Sequence, residues 1–110
     1  MSKEIKLAWI AALESGDYLP APYLLKTPKG FCCLGVLTDL YIKTHKDLVW
    51  KEEKALFLAK GDKTTDSAWL PEKVDKWAEL KESIILGKLS RMNDDRKSFA
   101  EIAKIIEKEL

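Results

Sequence analysis

A chain of 110 residues, 46% of them hydrophobic, is long enough to bury one core and too short to bury two, so a single domain over residues 1–110 is expected. Lysine and arginine number 19 against 18 acidic residues, for a formal net charge of +1. That balance leaves no overall field to grip a nucleic-acid backbone, so neither DNA nor RNA is an expected partner, although a local basic pocket is compatible with it.

The opening MSKEIKLAWI reaches an acid at Glu4, and its apolar positions are periodic rather than continuous. It reads as neither a signal peptide nor a membrane span, and a cytoplasmic protein without a membrane partner is expected. From Lys3 to Leu13, the residues Ile5, Ala8, Trp9, Ala12 and Leu13 follow the spacing of an amphipathic helix. Ser15-Gly16 supplies its stop.

Residues 17–35, DYLPAPYLLKTPKGFCCLG, hold three of the four prolines. Tyr23-Leu24-Leu25 and Phe31-Cys32-Cys33 flank Thr27-Pro28-Lys29-Gly30, where proline presets φ at the first corner and glycine tolerates the last, so a short β-hairpin is expected. Cys33, Val36, Leu37, Leu40 and Tyr41 then repeat the helical spacing. Gly35 weakens that helix by roughly 1 kcal/mol of propensity unless close packing requires the missing side chain.

In residues 47–60, Leu48-Val49-Trp50 and Leu56-Phe57-Leu58 are separated by charged residues and followed by polar turn residues. Two antiparallel strands are the preferred reading, and EEKALFLAK is also an acceptable helix by propensity. Leu70-Pro71 opens a helix with proline at the tolerated first position, and Val74, Trp77, Ala78 and Lys81 share one face. Gly87 interrupts a shorter apolar segment, Ile84 to Met92. The final element has a capping-box spacing at Ser98 and Glu101 ahead of an apolar stripe of Phe99, Ile102, Ala103, Ile106 and Leu110. The sum is an α+β domain: about four helices packed on a short antiparallel sheet built from hairpins.

Chemistry is sparser. Cys32 and Cys33 are the two cysteines, and sequence neighbours almost never bridge, because the ring they would close strains the peptide. Both should be free thiols in a reducing compartment. A thiol at a helix start is a candidate nucleophile, but the single histidine, His45, lies about three helical turns further on, roughly 18 Å along the axis. A cysteine-dependent hydrolase therefore lacks its base, and buried thiols filling a narrow corner suit the pattern better. One histidine and vicinal cysteines do not make a zinc set. Asn93-Asp94-Asp95 lacks the alternation and central glycine of a calcium loop, and reads as a turn that caps the preceding helix and aims the next. The glycines are dispersed, so no phosphate loop is present. Neither a catalytic residue, a metal nor a cofactor is expected.

Binding remains. Tyr18 and Tyr23 sit in the proline-rich loop, Lys26 and Lys29 on the hairpin, and Arg91 and Arg96 flank Asn93 and Asp94. Rings beside cations suit a nucleotide-like anion, while an ordinary solvated surface fits these cations equally well.

WIAALESGDY, GFCCLGVLTDLY, WLPEKVDKWAEL and LSRMNDDRKSFAEIAKIIE, in this order, resemble a family of small, mostly uncharacterised bacteriophage and prophage proteins. The matching positions are Trp9, Ala12, Leu13, Ser15, Gly16 and Tyr18; Gly30 to Leu37; Leu70, Pro71 and Trp77; Asn93 and Asp94; and Ser98, Phe99, Ile102 and Ala103. This chain departs from the pattern at LPAPYLLK, where members often carry glycines and an arginine, and at Met92, which replaces a leucine. Small phage proteins are frequently accessory factors that blunt host defence, some by sequestering nucleotide-derived immune signals and others by gripping a host protein.

By that analogy the resemblance implies an anti-defence protein in the host cytoplasm that acts by binding rather than catalysis. The expected ligand is a small anionic nucleotide-derived signal, held by the hairpin, Tyr18, Tyr23, Lys26 and Lys29 together with Arg91, Asn93 and Asp94, in a homo-oligomer. The alternative is a module that inhibits a host defence enzyme directly, with Trp50 or Trp69 as the anchor.

Overall fold

In a computed structural model, which describes residues 1–53, 56–60, 69–80 and 83–110, the first periodic stretch forms helix α1 (Lys3–Glu14). Its buried face is narrow, consisting of Trp9 and Leu13, and Gly16 ends it in the left-handed region at φ +82°. The hairpin is shorter than the sequence suggests: β1 (Lys26–Thr27) pairs with β2 (Gly30–Phe31) across Pro28-Lys29. Thr27 Oγ1 accepts the Lys29 N–H at 3.1 Å, which braces the turn. Tyr23–Leu25 lie outside the strands, and Cys32 already caps the next helix.

That helix, α2 (Cys33–Thr44), is the centre of the fold, packing against α1, the next two helices in the chain and β2. Residues 33–39 are all buried, and Gly35 is the reason the start of α2 fits. A Cβ at residue 35 would be driven into the Leu25 carbonyl, so close packing does require glycine here.

The middle segment forms strands: β3 (Val49–Glu53) and β4 (Leu56–Lys60) make a second antiparallel hairpin. Lys26 of β1 pairs with Phe57 of β4, which joins the two hairpins into one sheet of order β2-β1-β4-β3. The polar residues expected to turn after β4, from 61 to 68, lie outside the described residues.

Pro71 is the N-cap of α3 (Glu72–Ala78), one position earlier than expected. Val74 and Ala78 are buried on it, whereas Lys81 lies outside the described residues. The apolar segment around Gly87 is a full helix, α4 (Ser83–Asp94), because a glycine with nothing near it costs only propensity. The described residues therefore hold five helices rather than about four, with α5 (Phe99–Glu109) last. Ser98 caps α5 by accepting the Glu101 N–H at 3.2 Å, the bond its spacing predicts.

One hydrophobic cluster joins Trp9, Leu25, Leu37, Leu48, Val74, Leu89 and Ile106, so the α+β elements share a single core. No helix among the described residues is long and apolar enough to cross a membrane.

Candidate functional site

The proline-rich loop is fastened along both sides. The Ala21 N–H donates to the Phe31 carbonyl and the Phe31 N–H to the Leu19 carbonyl, each at 2.8 Å, so Leu19–Ala21 runs beside β2 as a parallel bridge. On the other side, Asn93 Nδ2 donates to the Ala21 carbonyl at 2.9 Å, and Asp94 Oδ1 accepts the Tyr23 N–H at 2.9 Å. The Leu24 N–H bonds back to the Pro22 carbonyl around Tyr23 at φ +74°. This is the classic γ-turn geometry, a strained one for a residue with a side chain.

Between this loop, the hairpin tip and the α4–α5 junction lies a cleft of about 470 Å³, walled by Pro20, Ala21, Pro22 and Pro28 and edged by Lys29 and Arg96. A smaller recess of about 150 Å³ shares Pro20, Ala21, Pro22 and Arg96 and reaches Asn93, Lys97 and Ser98. Along the same hairpin, about 290 Å³ opens beside Asp17, Lys26, Lys29 and Phe31. Lys29 and Arg96 therefore share the largest of these three clefts, and each also borders one of the other two.

Arg96 reaches its place through the backbone. Its N–H bonds to the Asn93 carbonyl and the Lys97 N–H to the Met92 carbonyl, each at 3.0 Å, a Schellman closure of α4. Arg96 occupies the left-handed position at φ +63°, where glycine is usual. Among the described residues neither Lys29 nor Arg96 forms an ion pair.

The expected binding residues divide. Tyr23 is exposed, with 64% of its surface accessible, and Lys29 lines the cleft. The Lys26 ammonium sits over the Phe31 and Trp50 rings, 5.1 and 5.5 Å from their centres, and Lys26 borders the cleft of about 290 Å³. Arg91 is exposed on α4 but does not line the cleft; Arg96 is the arginine that does. Asn93 is buried, and its side chain is committed to holding structure: Oδ1 accepts the Cys33 N–H at 3.1 Å while Nδ2 holds Ala21. The side chains of Asn93 and Asp94 thus cap α2 and brace the loop, while the Asn93 carbonyl takes part in closing their own helix, as expected.

Tyr18 is no accessible ring. It is buried edge-on against Phe31, and its hydroxyl donates to Asp39 Oδ2 at 2.6 Å. Burial first, then the Asp39 hydrogen bond, push its phenol pKa up. Lys43 donates to the same hydroxyl at 3.0 Å, which is the leading cause of the raised ammonium pKa of Lys43. Trp50 is also tied down, its Nε1 donating to Asp39 Oδ1 at 3.0 Å, so Trp50 is not a free anchor. Trp69 is exposed.

Cys32 and Cys33 are free thiols, both buried. Cys32 Sγ accepts the Gly35 N–H at 3.3 Å, acting as the N-cap of α2, and Cys33 Sγ donates to the Leu89 carbonyl at 3.6 Å. Burial pushes the Cys32 thiol up to about 11 and the Cys33 thiol well above its ordinary value, the opposite of nucleophile activation. His45 is the C-cap at the far end of α2, stacked on Tyr41 with ring centres 4.2 Å apart. Among the described residues no three metal-ligating side chains converge.

Arg96, named among the cations in the sequence but left out of the expected binding set, carried a further signal. It follows a helix-ending Asn-Asp-Asp and precedes the Ser98 cap, where a glycine would be the ordinary choice. A family model described as Domain of unknown function (DUF8296) matches residues 1–110. No curated protein and no solved structure matches the chain.

Proposed function

The chain belongs to the DUF8296 family, whose description names no activity, and we propose from the chain's own geometry that it works by binding a small anion of the nucleotide class. The observation that carries this reading is the cleft between Pro20–Pro22 and the hairpin tip, bordered by Lys29 and Arg96, two cations with no ion pair among the described residues. Its volume of about 470 Å³ falls within the range of small-molecule sites. A guanidinium presents parallel donors that match a phosphate, and the proline walls offer apolar surface to the rest of the ligand. Tyr23, adjoining this wall, and Arg96, on the rim, are both non-glycine residues in the left-handed region. Strain of that kind gathers at ligand sites because neighbouring structure must hold it in place.

The biological setting rests on the resemblance to phage proteins: an anti-defence factor in the host cytoplasm that sequesters a nucleotide-derived immune signal, with a second copy closing the open side of the cleft. Native mass spectrometry of protein purified from phage-infected cells tests this, reporting subunit number and retained small molecule together. The expected result is an intact phosphorylated ligand, released unchanged on denaturation. A cleaved product, or a protein that carries no ligand and ignores added nucleotides, overturns the reading.

A second reading, direct inhibition of a host enzyme, is favoured by the exposure of Leu19 and Trp69, 67% and 39% accessible. It requires a stoichiometric host protein partner that persists after nucleotides are removed.

A further inference from the structure

A further cleft, of about 390 Å³, lies where the start of α1, the end of α2 and α3 meet, and its chemistry is opposite to that of the Arg96 cleft. Ile5, Ala8 and Trp77 give it an apolar lining, and among its lining residues Glu4 is the one carboxylate, with no lysine or arginine present. Among the described residues Glu4 forms no ion pair. The carbonyl end of α2 adds partial negative charge at Thr44 and His45. The cation on the last turn of α2, Lys43, is occupied with Tyr18 and Asp39.

Two ring nitrogens remain available. His45 Nδ1 lies 3.2 Å from the Tyr41 carbonyl and 2.8 Å from Thr44 Oγ1. A carbonyl only accepts, so the tautomer that satisfies this contact carries its proton on Nδ1 and keeps a lone pair on Nε2. Trp77 Nε1 has no hydrogen-bond partner among the described residues. The indole is held edge-on to Tyr41 and His45, with ring centres 5.3 and 5.8 Å away. The aromatic wall is therefore fixed before any ligand arrives.

We propose that this cleft binds an alkylammonium group on an apolar stem, as carried by an aliphatic amine or a lysine side chain. The Glu4 carboxylate and the His45 Nε2 lone pair accept its N–H groups, and the indole and Ile5 cover the stem, where a cation also gains from the aromatic face. The site is independent of the Arg96 cleft and stands or falls separately.

The test is a ¹H–¹⁵N NMR titration of the full chain with n-butylammonium and, as its uncharged counterpart, n-butanol, with the Trp77 indole signal assigned through Trp77→Phe. Butylammonium is expected to shift the Trp77 indole and the Glu4 and His45 amides in a saturable way. Glu4→Gln should weaken that binding about tenfold, the loss of one charge-assisted hydrogen bond. Glu4 is exposed at the helix surface, so the variant keeps the fold, and an unchanged spectrum away from the cleft confirms that. Butanol binding as well as butylammonium, an unaltered affinity in Glu4→Gln, or no shift at Trp77 each overturns the proposal. Putrescine and a blocked lysine peptide then separate the sources: tighter binding of the diamine supports a free amine, and tighter binding of the peptide supports a protein side chain.

Discussion

The side-chain oxygen of Asn93 accepts the backbone N–H of Cys33 across 3.1 Å, so the last turn of α4 caps the first turn of α2. The same amide donates to Ala21 in the loop that walls the cleft. One buried side chain therefore fastens together the cysteine corner, the final helical hairpin and the proline-rich loop. The corner is braced again by Trp9, whose Nε1 donates to the Cys33 carbonyl at 3.0 Å.

Asn93→Ala leaves a buried donor at Cys33 and a buried acceptor at Ala21 without partners. At about 1–3 kcal/mol for each unsatisfied group, the expected loss is about 2–6 kcal/mol. Asn93→Asp keeps the acceptor for Cys33 but sets a carboxylate oxygen against the Ala21 carbonyl, so it should rescue little. Urea denaturation checks both, with a lowered midpoint at an unchanged slope marking loss of stability alone. A loss below about 0.5 kcal/mol in Asn93→Ala would remove Asn93 from this role.

Two helical glycines should respond in opposite directions to alanine. At Gly35 the new methyl collides with the Leu25 carbonyl, which is itself bonded to the Cys32 N–H, so a loss of at least about 3 kcal/mol or failure to fold is expected. At Gly87 nothing lies within 4 Å of the new methyl, and helix propensity should stabilise the protein by about 1 kcal/mol. Thermal melts of the pair decide whether close approach or helix propensity governs each position.

Much of this architecture was legible in local pattern. The stripe from Phe99 to Ile106 with its Ser98 cap, the Pro28-Lys29 turn and the apolar runs at Leu48 and Leu56 each state their own geometry within a few residues. The site was less legible because its bonds are remote: Asn93 and Cys33 are 60 positions apart, and neither side chain's neighbourhood announces the other. Tyr18 looked like an open loop ring because the acceptor that draws it inward, Asp39, lies 21 positions away. Arg91 and Arg96 were indistinguishable as charges, and the left-handed turn after α4 puts only Arg96 on the cleft.

The cysteines predict a pH dependence. A thiol whose folded pKa lies above its unfolded value favours the folded state while it is protonated. Its contribution is complete below the unfolded value, about 8.5, and is lost as pH rises through about 11 for Cys32. The unfolded chain gives up its protons first, so stability should fall across that window. At pH 8 in native buffer, labelling of both thiols by a disulfide reagent should proceed only at the rate of opening and jump when urea is added. Prompt stoichiometric labelling of the native protein would show an accessible, reactive thiol and reopen the cysteine-dependent alternative.

Arg96→Gly separates the binding role from the structural one. Glycine relieves the left-handed backbone at φ +63°, and against its greater unfolded entropy a net gain of roughly 0.5–1 kcal/mol is expected. The same change removes the guanidinium from the cleft, and loss of a charge-assisted contact worth about 1.5–3 kcal/mol should weaken anion binding roughly 10- to 100-fold. Calorimetric titration with ADP, with adenosine as the uncharged control, measures the second effect, and a melt measures the first. Arg96→Lys keeps the charge and the backbone strain, so it should melt like the parent and recover part of the ADP affinity. A variant that melts higher and binds less identifies a residue kept in a strained position for its ligand. If Arg96→Gly melts higher and binds ADP as before, Arg96 is only a poor helix cap, and the anion cleft loses the residue on which its proposed function depends.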